Sequence, residues 1–231
     1  GERPNVWLYI HGPTHHWVIS AKRKAGVLLP AAEAFSTIDA LLAGSWTGYP
    51  EKELGTAWAA SIFDDHGCGG NQGQVTDQLF RSKADSARTI GQKLLDRALG
   101  NIAARVKTGT AKGTPVVVFN ALSWPRTEPV RVVLPPGSYR IVDASGKTVT
   151  SQAVMTSSGV TPGGTTVTFV AQNVPSFGYA TYHAVRMKNA PAIGIAVQVP
   201  ETWESRHYRI TFAPGGLRSI FDRELNRELL N

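Results

Sequence analysis

The spacing of apolar residues changes near residue 110, and a chain that changes period in this way cannot be built from one kind of element. Before that point Val18, Ala21, Ala25, Leu28, Ala32, Phe35, Ile38 and Leu42 recur every three or four positions, the spacing of one helix face. Leu54, Trp58 and Ile62 form a shorter second stripe. Val75, Leu79, Ala87, Ile90, Leu94, Ala98, Ile102 and Val106 form a third, opened by Asn71 and closed by Gly109. Pro30 falls inside the first stripe and predicts a kink or a restart there. Three helices with such faces can bury them only against one another or against a partner domain. Ahead of them, residues 7–10 read as a short buried strand or an extended entry segment.

Residues 108–115 are rich in Gly and Thr and end in Pro115, the composition of a linker. Beyond it the period becomes two. Residues 116–119, 130–134, 139–142, 165–171, 179–183 and 195–199 are short runs of β-branched and aromatic residues, separated by turn clusters such as Pro135-Pro136-Gly137 and Pro162-Gly163-Gly164. Residues 207–212 and 217–221, joined through Gly215-Gly216, predict one more hairpin. The expected fold class is α+β in two domains: a three-helix bundle over residues 1–110 and an antiparallel β-sandwich over residues 111–231. The sandwich is expected to be the first part of a larger β region. The opening Gly1-Glu2-Arg3-Pro4 and the unpunctuated close at Asn231 both predict a piece of a longer protein.

Composition removes several function classes. Lys and Arg outnumber Asp and Glu 24 to 17, but the excess is spread, 12 against 10 up to residue 110 and 12 against 7 beyond it. Without a dense basic stripe there is no case for nucleic acid as a partner, and Lys22-Arg23-Lys24 reads as a solvated helix face. A single cysteine, Cys68, excludes an internal disulfide framework. No uninterrupted apolar run approaches the roughly 18 residues of a membrane span, so no membrane partner is expected. The chain is expected to be soluble, in a bacterial cytoplasm or periplasm.

Two stretches carry the residues suited to chemistry. In residues 63–73, Asp64, Asp65 and His66 stand together, followed by Gly67, Gly69, Gly70 and Gly73. Carboxylates and an imidazole are ligands for a divalent metal, and glycines let a backbone approach a ligand closely. At most two of three consecutive side chains could serve one ion. The plainer reading is an acidic helix end followed by a flexible loop, although acids at a helix C-terminus oppose its dipole. The glycines fit neither the G-x-G-x-x-G nor the P-loop spacing. In the second stretch His11, His15 and His16 flank a Gly-Pro turn and stand beside Trp17, a combination that suits metal binding or sugar stacking, or simple surface and capping roles. His183 and His207 read as packed or edge residues of strands.

The order of these residues resembles glycoside hydrolase family 38, the α-mannosidase family. Three places carry the resemblance: Leu8-Tyr9-Ile10-His11-Gly12 with Lys22-Arg23-Lys24 and Ala31-Ala32-Glu33-Ala34; the Trp58-led segment running to Phe63-Asp64-Asp65-His66-Gly67; and Phe119-Asn120-Ala121-Leu122-Ser123-Trp124-Pro125-Arg126, similar to the strand that opens that family's C-terminal β region. Tyr208-Arg209-Ile210-Thr211-Phe212 and Ile220-Phe221-Asp222-Arg223-Glu224 resemble its next β segment.

The resemblance implies a middle helical domain and the start of a β region, taken from a retaining glycoside hydrolase that acts on α-mannosides and needs a divalent metal, zinc in kind. The catalytic nucleophile would lie in an N-terminal catalytic domain that precedes this chain, which supplies no catalytic residue of its own and would be inactive alone. The family's middle domain donates one metal ligand, a histidine. Aligned without a gap, Asp65 takes that histidine's place; a one-residue shift gives it to His66. This Asp-Asp-His order departs from the animal-type His-His-Asp. His11 and Asp64 would line the sugar pocket. The competing classes are a non-catalytic carbohydrate-binding or interaction module, with Trp124 and Trp203 as sugar platforms (core burial being the expected fate of Trp124), and a degenerate family member.

Overall fold

A computed structural model describes residues 16–62, 74–109, 112–156, 164–188 and 200–230. The chain divides into two compact units, Gly1–Lys188 and Asn189–Asn231.

The first unit opens with three helices, α1 (His16–Ala43), α2 (Glu51–Ser61) and α3 (Gln74–Ala103). α1 runs unbroken through Pro30, which faces solvent, so the expected restart does not occur. The carbonyl that Pro30 leaves without its helical partner lies on that wet face, where water can satisfy it. Val18, Ala21, Ala25, Ala32 and Phe35 are buried as the stripe predicts, but Leu29 at 0% exposure replaces half-buried Leu28, and Leu42 is exposed. In α3 the buried residue of the early turns is Phe80 rather than Leu79, while Ala87, Leu94, Ala98 and Ile102 follow the predicted face. In α2 Leu54, Ala57 and Ala60 are buried, whereas Ile62, at the C-cap, is exposed. Glu51 and Glu53 in its first turn complement the helix dipole.

Small residues let these helices approach closely. A Cβ on Gly91 of α3 would meet Leu29 Cδ2 of α1 at 3.0 Å. The stretch Val18–Ala43 has a mean hydropathy of 1.4, so by length and composition α1 is apolar enough to cross a membrane, contrary to the reading of interrupted runs. Its packing gives that apolarity a different explanation: Ala25, Leu29 and Ala32 are at 0% exposure within the bundle.

Seven strands follow in the same unit: β1 (Thr114–Phe119), β2 (Arg126–Leu134), β3 (Tyr139–Asp143), β4 (Thr148–Val149), β5 (Ser151–Thr156), β6 (Gly164–Val174) and β7 (Tyr179–Arg186). They form two antiparallel sheets, ordered β1-β7-β3-β4 and β2-β6-β5. Val118, Tyr139, Ile141, Tyr182 and Ala184 of one sheet meet Leu134, Val167, Phe169 and Ala171 of the other in a single core, which makes the pair a sandwich. Phe169 and Tyr182 stack tilted at 4.8 Å across it. Gly113 enters β1 at φ 121°, and a Cβ there would strike the Ala184 carbonyl oxygen at 2.6 Å. The helices join this sandwich where Phe35 meets Phe119 edge-on at 5.5 Å, with Ala98 and Ile102 beside them. The fold class is therefore α+β, helices first and antiparallel sheets after. The predicted strand at 195–199 lies outside the described residues.

The second unit is a four-stranded antiparallel sheet ordered β11-β10-β9-β8, with β8 (Thr202–Glu204), β9 (Tyr208–Ala213), β10 (Gly216–Asp222) and β11 (Arg227–Glu228). The hairpin expected from residues 207–221 is its centre.

Two carboxylates fasten turns at the edges of these sheets. Asp143 accepts from the Ser145 hydroxyl at 2.6 Å and from the Ser145 and Lys147 amides, and the hydroxyl is the main cause that holds its pKa below the ordinary value. Glu228 is lowered likewise, chiefly by the Ser219 hydroxyl at 2.6 Å, with Ile220 donating at 2.8 Å. A carboxylate whose folded pKa is depressed contributes above its unfolded pKa and loses that contribution as pH falls through the folded value. The Ser145 and Leu230 amides should hold their hydrogen-bonded NMR shifts from neutrality down through the ordinary carboxylate range and lose them only below it. Shifts already lost at or above the ordinary carboxylate range would contradict this.

Candidate functional site

His11, Asp64, Asp65 and His66 all lie outside the described residues, as do His15 and Cys68. What the structure describes is the set of elements on which their two stretches are mounted. Val18 and Ala21 of α1 cluster with Phe80 and Ala84 of α3. Further along, Ala25 and Leu29 meet Ala87, Ala32 meets Leu94, and Phe35 meets Ala98 and Ile102. The contacts advance in the same direction along both helices, so α1 and α3 run parallel. α2 runs against them, with Leu54 beside Ala32 and Leu94, and Ala57 and Ala60 beside Ala25 and Leu29. The stretch before His16 and the stretch before Gln74 therefore run into the bundle at one end. Two helix N-termini face that end together, and each favours a nearby carboxylate by about 0.3–1 kcal/mol.

Two residues singled out far apart in sequence are also brought together. The Trp58 indole N–H donates to Glu33 Oε2 at 3.2 Å, tying α2 to α1 across 25 positions. The Trp58 ring packs against the buried alanines and leucines of both neighbouring helices. This bond fixes the roll of the helix that leads into residues 63–73. Trp58→Phe keeps the ring and removes the donor, so the bundle should lose about 1 kcal/mol of stability in urea denaturation. An unchanged midpoint would show that the bond holds nothing.

The Phe119-Asn120 motif is built around Asn120, which is 2% exposed. Its Nδ2 donates toward the carbonyls of Trp124 at 2.7 Å, Val174 at 3.1 Å and Pro175 at 3.1 Å. Its Oδ1 accepts the Leu122 amide at 3.0 Å, and its own amide donates to the Gly178 carbonyl at 2.9 Å. Phe177, held beside it by an amide bond to the Leu122 carbonyl, adopts φ 44°. Reading the sequence missed this role, whose signal is a polar residue closing an apolar strand just before a Ser-Trp-Pro turn. Trp124 was expected in the core; it is 56% exposed, because the turn is held through its carbonyl and not through its ring. Trp203 is exposed as well.

The remaining histidines divide. His183 is buried in β7, with an Nδ1 that has no hydrogen-bond partner, whereas His207 lies at the surface with Nδ1 2.8 Å from Glu224. Among the described residues no group of three His, Cys, Asp or Glu side chains could hold a metal ion. An adjacent carboxylate and imidazole do not close a tetrahedral site, which needs three or four protein ligands, so these two residues by themselves do not fit a complete metal centre.

No family model matches the chain. Over 89 residues, 38% of its length, it is 30% identical to a lysosomal alpha-mannosidase of Dictyostelium discoideum. Two crystal structures from Enterococcus faecalis superpose on 93% of it at 17% identity. One is described as a glycosyl hydrolase family 38 protein, with a TM-score of 0.59, and the other as an alpha-mannosidase, with a TM-score of 0.60. The chain has the fold of a family 38 glycoside hydrolase segment. The chain spans 8% of the Dictyostelium relative and 29% and 28% of the two solved chains. The bundle carries the two unusual stretches at one end, and the Asn120 turn follows β1, the first strand of the β part.

Proposed function

We propose that this chain is the middle helical bundle and the first β segment of a retaining α-mannoside hydrolase, and that it supplies part of the active-site wall. The observation that carries the reading is the likeness of fold: 93% of the chain superposes on a glycosyl hydrolase family 38 structure with a TM-score of 0.59, and over 89 residues it is 30% identical to an alpha-mannosidase.

Retaining hydrolysis needs two carboxylates about 5–5.5 Å apart, one acting as nucleophile and one as acid then base. In this reading both belong to a catalytic domain that precedes this chain. The bundle contributes from its shared helix end. His11 and Asp64 hydrogen-bond sugar hydroxyls, and either Asp65 or His66 gives one ligand to a divalent metal of zinc type. A bound ion of this kind acts as a Lewis acid on sugar hydroxyls. The residues here hold and orient: a neutral imidazole or a carboxylate ligates.

The purified chain should release no chromophore from a chromogenic α-mannoside, and a polypeptide extending through the preceding catalytic domain should release it. Turnover by the chain alone would overturn the assignment. The exposure of Trp124 favours a second reading, a carbohydrate-binding module, which predicts specific glycan binding on an array that Trp124→Ala abolishes.

A further inference from the structure

At the end of the bundle away from the two candidate stretches, the last turns of α1 and α3 and the start of α2 enclose a cavity of about 340 Å3. That volume is at the low end of the roughly 300–1,000 Å3 found for small-molecule sites and suits one or two sugar rings. Ser36, Asp39, Arg97, Asn101 and Arg105 face it. On α1 the lining positions recur at three- and four-residue spacing, so they form one face; Arg97 and Asn101 do the same on α3, with Arg105 in the turn just after it. Ala40, Ala43, Ala98 and Pro50 supply an apolar floor between them.

The polar groups are organised but not saturated. Asn101 Nδ2 donates to Asp39 Oδ2 at 2.7 Å, and Arg105 donates to the Leu42 carbonyl at 2.7 Å. The other carboxylate oxygen, Asp39 Oδ1, is buried with no hydrogen bond, its nearest cation being Arg105 at 3.8 Å. Ser36 is 5% exposed and still lines the cavity. Each guanidinium already has a carboxylate beside it, Arg105 with Asp39 and Arg97 with Glu53 at 3.9 Å. Glu53 stands just outside the lining, and with it counted these four side chains carry no net charge, which suits a neutral ligand rich in hydroxyls. A carboxylate and an amide hydrogen-bonded at 2.7 Å, with a guanidinium 3.8 Å from the carboxylate, over an apolar floor match the alternating hydroxyl edge and C–H face of a pyranose. The loop from α1 to α2 adds Trp46, exposed and edge-on to Tyr49 at 5.4 Å, between the lining residues Ser45 and Gly48.

We propose that this cavity is an accessory binding site for a neutral pyranose, held by Asp39, Asn101 and Arg105 and separate from the candidate catalytic end of the bundle. It requires no residue of the proposed active site, so its failure leaves the proposed function untouched and the converse holds too.

The test is an NMR titration of the full chain with D-mannose, D-glucose, D-galactose and, as an anionic control, inorganic phosphate. At least one pyranose should produce saturable shifts confined to amides of residues 36–50 and 97–105, with millimolar affinity. Asn101→Ala should weaken it about tenfold, equivalent to about 1.4 kcal/mol. Ala43→Trp, which fills the cavity and removes no hydrogen bond, should abolish binding while the helical circular dichroism is kept. Shifts with phosphate alone, pyranose shifts that map elsewhere, or no saturable shift with any pyranose would each overturn the site; none of these readings depends on a variant folding.

Discussion

Asn120→Ala should lower the stability of the first unit by about 3 kcal/mol, read as a shift of the urea midpoint. The side chain is buried, and its amide group is the donor for three carbonyls that, among the described residues, no other side chain reaches by hydrogen bond: Trp124, Val174 and Pro175. Truncation removes the side-chain donor from all three; the Pro175 carbonyl keeps the Gly178 amide at 3.2 Å, whereas those of Trp124 and Val174 lose theirs where water enters poorly, and an unmet buried group costs about 1–3 kcal/mol. The effect should approach that of emptying the sandwich core by Phe169→Ala, about 3–5 kcal/mol, although the volume removed is far smaller. Asn120→Asp sharpens the test. It matches the shape but turns a donor into an acceptor facing three oxygens, so it should be at least as damaging as alanine. If Asn120→Asp proved milder than Asn120→Ala, the carbonyl-donor account of this turn would be wrong.

In the longer enzyme that the proposed function requires, removing both Asp65 and His66 should lower kcat/KM on an α-mannoside by at least about a hundredfold, the scale of losses seen when metal surroundings are disturbed. The single variants decide between the two. The residue that ligates should, as alanine, weaken metal affinity and respond to added zinc; its neighbour should change activity by less than about threefold. The argument is one of tethering. The stretch ending before Gln74 and the stretch ending before His16 meet the bundle at one end, fixed by the packing of Val18 and Ala21 on Phe80 and Ala84. A ligand placed there comes with His11 on the adjoining stretch. Should the double variant keep activity within about twofold, the bundle would be scaffold and not active-site wall.

Much of the fold could be read from apolar spacing, because helices and half-buried strands impose periods of 3.6 and 2 on any sequence that forms them. The departures have local causes. Leu29 takes the core position of Leu28, and Phe80 that of Leu79, because a periodic stripe fixes a face only to within a neighbouring residue. β5 escaped notice since Ser151-Gln152-Ala153-Val154-Met155-Thr156 lacks the β-branched density of its partner β6, and its pairing with residues 164–169 makes it a strand. Tertiary links were not legible at all. Neither the Glu33–Trp58 bond nor the Phe35–Phe119 contact leaves a periodic trace, and the three acceptors of Asn120 include two that are 54 and 55 residues away. Of the candidate site, the residue types were legible from composition, and the resemblance suggested their roles; the common end of α1 and α3 came from the packing.

The most direct test is a side-by-side assay of chromogenic α-mannoside hydrolysis. One sample is this chain; the other is the same chain continued through the catalytic domain proposed to precede it, as wild type and as the double variant lacking Asp65 and His66. The account predicts no turnover by the chain, turnover by the longer wild type, and loss of that turnover in the variant. Hydrolysis by the chain alone, or a longer variant as active as wild type, would contradict it.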